Sequence, residues 1–245
     1  MKGTHPPTLL TIVLRSLNGE CKALRGSTVL VATSGGRDSQ ALLHALAWHH
    51  KKMGLRLVAH GVDHGLRPEA AAELDLAQML AERMHIPFAR TTVEVRGGGN
   101  LQARARDARF HALREAAANS NAQFIATAHH AEDRAETVLL RLLRGAGPRG
   151  LAVLPPLSLD LARPILRASR AAIDAHVERH GLPFSSDPSN TNRRFARVRV
   201  REEVLPLLRQ LDPQVVLHLS NLADRLLNLR ESGWDTPDDL QSTDP

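Results

Sequence analysis

Cysteine is nearly missing from this chain of 245 residues, Cys21 being the single one. That excludes an internal disulfide, a CxxC metal knuckle, an iron–sulfur cluster held by this chain alone and a two-thiol sulfur relay. Lysine is scarce too. Lys2, Lys22, Lys51 and Lys52 are all there are, so arginine supplies nearly all of the positive charge behind a formal net +6. No GxxxxGK[S/T] segment occurs, which disfavours a P-loop kinase or GTPase. Long apolar runs are absent as well. Thr28 to Ala32 and Val138 to Leu143 fall far short of the roughly 20 residues a membrane span needs, and the start MKGTHPP lacks a charged-then-apolar leader pattern. A soluble, cytoplasmic protein with no membrane partner is expected.

What is present is enough apolar sequence, 42%, to bury one α/β core with a small appended lobe. Apolar runs rich in Val and Ile alternate with stretches of helical period, the pattern of a parallel sheet wrapped by helices. Strands are predicted at Thr28 to Thr33, Arg56 to His60, Phe88 to Val95 and Phe124 to Ala128. Helices fit Ser39 to Lys51, Pro68 to Met84, Leu101 to Ala118 and Glu132 to Arg144. The expected fold class is therefore α/β, a doubly wound parallel sheet whose ligands bind at the carboxyl ends of the strands, with a short helical C-terminal extension. Residues 1–150 would form the sheet domain. Residues 151–230, with Pro155, Pro156, Pro164, Pro183, Pro188 and Pro206 breaking short helical pieces, would form an arginine-rich accessory segment, and the acidic residues 231–245 a disordered tail. Between Arg141 and Arg209 basic residues outnumber acidic ones. Such a balance favours polyanionic partners such as RNA or nucleotides, although an arginine-biased genome gives the same composition.

The segment VLVATSGGRDS ends the first strand with two glycines and begins a helix. Gly35 and Gly36 let the backbone approach an anion, and the amides of the next helix turn point at it with the positive end of the helix dipole. Ser34 and Ser39 add hydroxyl donors, Arg37 lies within the loop, and Asp38 can hold a magnesium ion bridging phosphates. An ATP-binding loop of Ser34, Gly35, Gly36, Arg37, Asp38 and Ser39 follows, without any Walker lysine. The SGGxDS string resembles the PP-loop signature of enzymes that cleave ATP to AMP and pyrophosphate. A second glycine cluster, Gly145, Gly147 and Gly150, matches GxGxxG but follows a predicted helix, so it reads as a turn and not as a dinucleotide site.

The other strand ends carry chemistry of their own. After the second strand stand Asp63, His64, Gly65, Leu66 and Arg67. In the third predicted helix Arg106 and Arg109, three apart, share a helical face and can neutralise charge developing on a phosphate leaving group, unless they are ordinary solvated arginines. His129, Asp133 and Glu136 lie four and three apart at a helix start, an arrangement suited to a metal ion, an amine substrate or proton transfer. First-turn acids are equally ordinary partners of a helix dipole. Arg193, Arg194, Arg197, Arg199 and Arg201 form a dense basic run suited to an RNA backbone, or to a salt-bridged face.

Read in order, DHGLRPEA, GNLQARARDARF, HHAEDRAET with LLRG, and DPSN with the arginine-rich segment up to Pro206 resemble the motifs of the tRNA-lysidine synthetases. Departures from that pattern occur at Gly61, Gln102, Phe110, Glu132, Arg134 and Val198. The resemblance implies an adenine nucleotide alpha hydrolase-like fold and ligation of free L-lysine to the wobble cytidine of an isoleucine tRNA with a CAU anticodon, through an adenylated cytidine, with release of AMP and pyrophosphate. It implies ATP and Mg2+ as cofactors, Asp63, His64 and Arg67 around the adenosine and lysine pockets, and metal contacts from Asp38 and Asp133. Asp38, Arg106, Arg109, His129, Asp133 and Glu136 would carry the chemistry. Selection of the tRNA would fall to the arginine run or to a homodimer. Two rival classes remain: another PP-loop tRNA-modifying enzyme or amide ligase, and a non-catalytic nucleotide- or RNA-binding relative.

Overall fold

A computed structural model of the chain describes residues 6–63, 65, 69–94, 101–185 and 195–233. His64, Arg67, Arg193 and Arg194 lie outside the described residues, as do the RGGGN segment, the motif from Asp187 to Asn190, most of the expected tail and the side chain of Gln102. In chain order the elements are α1 (Leu9–Asn18), β1 (Thr28–Thr33), α2 (Arg37–Met53), β2 (Arg56–Asp63), α3 (Glu69–Arg83), β3 (Phe88–Thr92), α4 (Leu101–Asn119) and β4 (Phe124–Ala126). They continue with α5 (Ala131–Leu142), α6 (Pro148–Leu151), β5 (Leu157–Ser158), β6 (Leu161–Ala162), α7 (Arg170–His180), α8 (Ala196–Arg199), α9 (Leu205–Leu211) and α10 (Val215–Glu231). No helix among the described residues is long and apolar enough to cross a membrane.

The chain forms two compact units, Met1–His129 with Pro156–Asp187, and His130–Pro155 with Pro188–Pro245. The first is built on a six-stranded sheet in the order β3-β2-β1-β4-β6-β5. Its pairings are parallel from β3 through β6, with β5 antiparallel at the edge. β1 is apolar almost throughout because a central parallel strand is covered on both faces. Val29 and Val31 pack with α1, α2 and α7 through Leu9, Leu42, Leu46 and Ile173, whereas Leu30 turns the other way onto Phe110, Leu113 and Ala117 of α4. Helices on both faces make the sheet doubly wound, as expected. β5 and β6 are additions to that expectation. α1 is another, and its signal was present: Thr8 caps it by accepting from Thr11 N at 3.3 Å, ahead of buried Leu9, Ile12, Val13 and Leu17 at helical spacing.

The second unit is helical. Ala135 of α5 packs with Val200, Leu205 and Val216, and Val138 with Leu151, Val153 and Ala223. α8 and α9 are joined by a π turn, Val200–Val204, just before Pro206. Proline has no amide hydrogen to give back to the preceding turn and its ring crowds that turn's carbonyl, so the helix widens there. Arg134 is wholly buried in this unit, with Nη1 2.6 Å from Asp224 Oδ1 and Nε donating to Val153 O at 3.2 Å. Removing one partner of such a pair leaves a buried charge without its counter-ion. Asp224→Ala is expected to lower unfolding stability by about 3 kcal/mol, read as a shifted urea midpoint, and Asp224→Asn to recover part of the loss. An unchanged midpoint in Asp224→Ala would count against the pair's role.

Candidate active site

Strand connections run outward from β1 to β2 and β3, then return to β4 on the opposite side of β1. β1 and β4 therefore bracket the switch point, the crevice where doubly wound sheets take ligands. Val31 pairs with Ala126 in parallel register, so the chain leaving β1 and the chain leaving β4 emerge side by side.

The first of these exits is the loop from Ser34 to Ser39. Gly35 has φ +70°, and a Cβ built there would stand 1.8 Å from the carbonyl oxygen of Glu73. Left-handed backbone and close approach together leave room for glycine alone. Gly36 precedes α2 in extended backbone with no side-chain cap, so the orphan amides of a 17-residue helix face the loop, ready for an anion. Ser39 Oγ donates to Gly36 O at 2.8 Å and accepts from Ser34 N at 3.1 Å, closing the turn from inside. Ser185 N donates to Gly35 O at 3.0 Å and closes it from outside.

Two ion pairs join the first turn of α2 to α7. Asp38 Oδ1 lies 2.6 Å from Arg170 Nη1, and Arg37 Nη1 lies 2.8 Å from Asp174 Oδ1, with the Arg37 guanidinium 4.5 Å from the centre of the Phe184 ring. Glu73, Arg170, Asp174, Phe184 and Ser185 escaped the reading of the sequence. Each lies far from the loop along the chain, and no local pattern links it to the glycines.

The second exit carries Thr127 and His129. Thr127 Oγ1 lies 2.9 Å from His129 Nδ1 and donates to Ala162 O at 3.4 Å. Asp63 ends β2 and accepts from Gly65 N at 2.8 Å. Gly61, one of the departures from the family pattern, lies under Leu74, whose Cδ2 would be 2.5 Å from a Cβ at that position. In α4 the guanidiniums of Arg106 and Arg109 lie 5.0 and 5.3 Å from the centre of the buried Phe110 ring. Burial, and then Arg106, lower the pKa of Arg109 from the usual guanidinium value. Its Nε is buried with no hydrogen-bond partner among the described residues.

Asp133 and Glu136 belong to the second unit. There His130 caps α5, and its amide donates to Asp133 Oδ2 at 3.0 Å. Arg197 Nη2 donates to Asp133 Oδ1 at 3.0 Å and its Nε to Glu136 Oε2 at 2.8 Å. Arg201 holds the same carboxylate, Nε to Oε1 at 2.7 Å and Nη2 to Oε2 at 3.0 Å. Arg197 and Arg201, four apart, thus share one face turned to α5, whereas Arg199 pairs with Glu203 at 3.2 Å and stays exposed. Of the two readings open for the arginine run, the salt-bridged face describes Arg197 and Arg201. A further buried contact, His130 Nδ1 with Glu132 Oε2 at 3.1 Å, is extended by Arg209 on Glu132 at 2.8 Å.

A family model described as a PP-loop domain matches residues 9–208. A tRNA(Ile)-lysidine synthase from Pseudomonas aeruginosa is 41% identical over 201 residues, which cover 80% of this chain and 45% of that protein. Another, from Thermobifida fusca, is 39% identical over 230 residues, covering 92% of this chain and 70% of that protein. The chain spans about half the length of most of the curated relatives it matches, as with those from Pseudomonas aeruginosa and Solibacter usitatus. Among solved structures, a U34-tRNA thiolase from Methanococcus maripaludis superposes with a TM-score of 0.77 over 97% of this chain and 84% of its own, at 18% identity, a likeness of fold.

Proposed function

The chain belongs to the PP-loop family and, within it, to the tRNA(Ile)-lysidine synthases; from that premise we propose that it joins free L-lysine to the wobble cytidine of an isoleucine tRNA with a CAU anticodon, turning ATP into AMP and pyrophosphate. The observation that carries the proposal is the loop from Ser34 to Ser39, where left-handed Gly35 and the uncapped start of α2 present backbone amides to an anion at the switch point. That is a grip for a phosphate chain made without lysine.

Cytosine O2 attacks the α-phosphorus of ATP as the bond to pyrophosphate breaks, giving an adenylated base. The lysine ε-amine then attacks C2, and the C2–O bond breaks to release AMP. Magnesium takes oxygen ligands, one or two carboxylates with phosphates and waters; Asp38, a carboxylate in the first turn of α2, fits that demand, and the ion would neutralise charge on the phosphates. We assign the magnesium contact to Asp38, which stands within the phosphate loop itself. The buried Nε of Arg109 is a donor suited to a polyphosphate oxygen, with Arg106 beside it. Asp63, His64 and Arg67 are assigned to the adenosine and lysine pockets, and Arg193, Arg194 and Arg199 to the RNA backbone.

The amine needs a base, because with a pKa near 10.4 only roughly one lysine side chain in a few thousand is neutral at pH 7. His129 is our choice, since Thr127 Oγ1 on Nδ1 orients the ring at the exit of β4. Glu136, with two guanidiniums on its oxygens, positions Arg197 and Arg201. A sulfur-transfer reading finds no support in Cys21, which is buried, bonded to Pro156 O at 3.4 Å and pushed up in pKa by that burial.

Incubating the protein with labelled lysine, ATP, magnesium and tRNA tests the proposal. Label is expected in the RNA, in step with AMP. Pyrophosphate release without label would point to another PP-loop chemistry, and neither product would end the enzymatic reading.

A further inference from the structure

One cluster in the first unit lies outside the chemistry above. His44 of α2 and His176 and His180 of α7 bring ring nitrogens within 4.8 Å of one another, the only group of metal-capable side chains of this kind among the described residues. We propose that these three imidazoles bind one divalent first-row transition-metal ion, zinc by preference, and that the ion clamps α2 to α7 behind the phosphate loop.

His176 and His180 are four residues apart, so helical geometry stacks them on one face, and His44 meets them from the neighbouring helix. Their ring centres lie 4.5 Å apart, with His44 5.0 Å from His176 and 4.6 Å from His180. His44 Nδ1 and His176 Nε2 are 3.0 Å apart. Around tetrahedral zinc, with Zn–N near 2.05 Å, ligand nitrogens stand about 3.3 Å apart, so that pair is already at ligand spacing. The contact is a hydrogen bond in which one ring gives a proton to the other. Shifting that ring to its other tautomer leaves a lone pair on each facing nitrogen, with no proton lost.

Three further observations support a metal. His44 and His176 are buried, and desolvation, then the neighbouring histidines, lower their pKa values to about 4 and about 3, so both rings are in the neutral, ligating form at pH 7. His180 is only half-buried, which gives the site an approach and leaves a fourth position for water. Three imidazoles also form a nitrogen donor set that zinc favours and magnesium does not. The clamp has a place to act. Nearer the starts of the same two helices lie the Asp38–Arg170 and Arg37–Asp174 pairs, so fixing α2 on α7 fixes the seam that frames the loop.

Trp48 supplies a reporter, its ring centre 6.1 Å from that of His44 and 6.0 Å from that of His180. The chain has two tryptophans, and Trp234→Phe isolates this one. Untagged Trp234→Phe protein, stripped with chelator, would be titrated with Co2+ and then Zn2+. Expected are one equivalent of Co2+ with the visible bands of a nitrogen-ligated tetrahedral site, a change in Trp48 emission, and displacement by Zn2+. Zinc at 100 times its Kd should raise the melting midpoint by about 5–10 °C. His180→Ala, at the half-buried position, should weaken binding by about 100-fold or more. Should His176→Ala fail to fold, His180→Ala and the parent protein's cobalt spectrum decide. No saturable binding, octahedral cobalt only, or equal affinity in His180→Ala would each overturn the proposal and leave a packed, metal-free histidine stack.

Discussion

Asp38→Ala is expected to lower pyrophosphate release from ATP by about 10²–10³-fold, the loss usual when one preorganised electrostatic contact to a transferring group is removed. The fold should survive. Asp38 pairs with Arg170 at 2.6 Å, but both side chains are about one-third exposed, and such pairs contribute about 0–1 kcal/mol. The melting midpoint should therefore move little while turnover collapses. Arg170→Ala separates two roles for the carboxylate. If Asp38 serves the phosphates, Arg170→Ala should retain most activity; if it serves only to tie α2 to α7, the two variants should be equally impaired. Full pyrophosphate release by Asp38→Ala would remove the assignment of magnesium to that residue.

Gly35→Ala should be more damaging, because it acts on fold and ligand together. A side chain at φ +70° costs about 1–2 kcal/mol. The new Cβ would also meet the Glu73 carbonyl oxygen at 1.8 Å, a backbone atom that cannot swing aside as a side chain would. Relief requires α3 to shift or the loop to open, and either change disperses the amides facing the anion. A stability loss of about 2 kcal/mol or more is expected, with no rise in melting midpoint on adding ATP. Gly36→Ala is the control. Gly36 has ordinary extended backbone, φ −73°, and its nearest crowding atom is Ser34 Oγ at 3.3 Å, so stability should change by only about 0.5 kcal/mol. Wild-type stability and ATP response in Gly35→Ala would show that the turn does not hold nucleotide.

The contrast between these glycines marks how far sequence reading reached. That both sit in a strand-to-helix turn was legible, because turn chemistry and helix starts are encoded by neighbouring residues. Which one tolerates a side chain was not, since Glu73 arrives from another helix. The strands of the sheet's centre showed themselves as apolar runs because burial on both faces demands it. β5 and β6 were hidden, since two-residue strands carry no periodicity, and β6 is held by Ile125 and Ala126.

The arginine run shows the same boundary from the other side. Five arginines between residues 193 and 201 are plain in the sequence, but their count cannot tell a nucleic-acid face from an ion-pair network. A four-residue helical repeat turns Arg197 and Arg201 onto Glu136, while Arg199 leaves on another side of the helix. The histidines follow suit: i,i+4 spacing announces His176 and His180, but nothing local announces His44.

By itself the sequence determined the α/β order and the glycine turn between β1 and α2, for these depend on patterns a few residues long. Only the tertiary structure decided what presses on Gly35, which cations meet Asp38, Asp133 and Glu136, and that three histidines share one point. Those contacts join residues distant along the chain, and packing alone selects them.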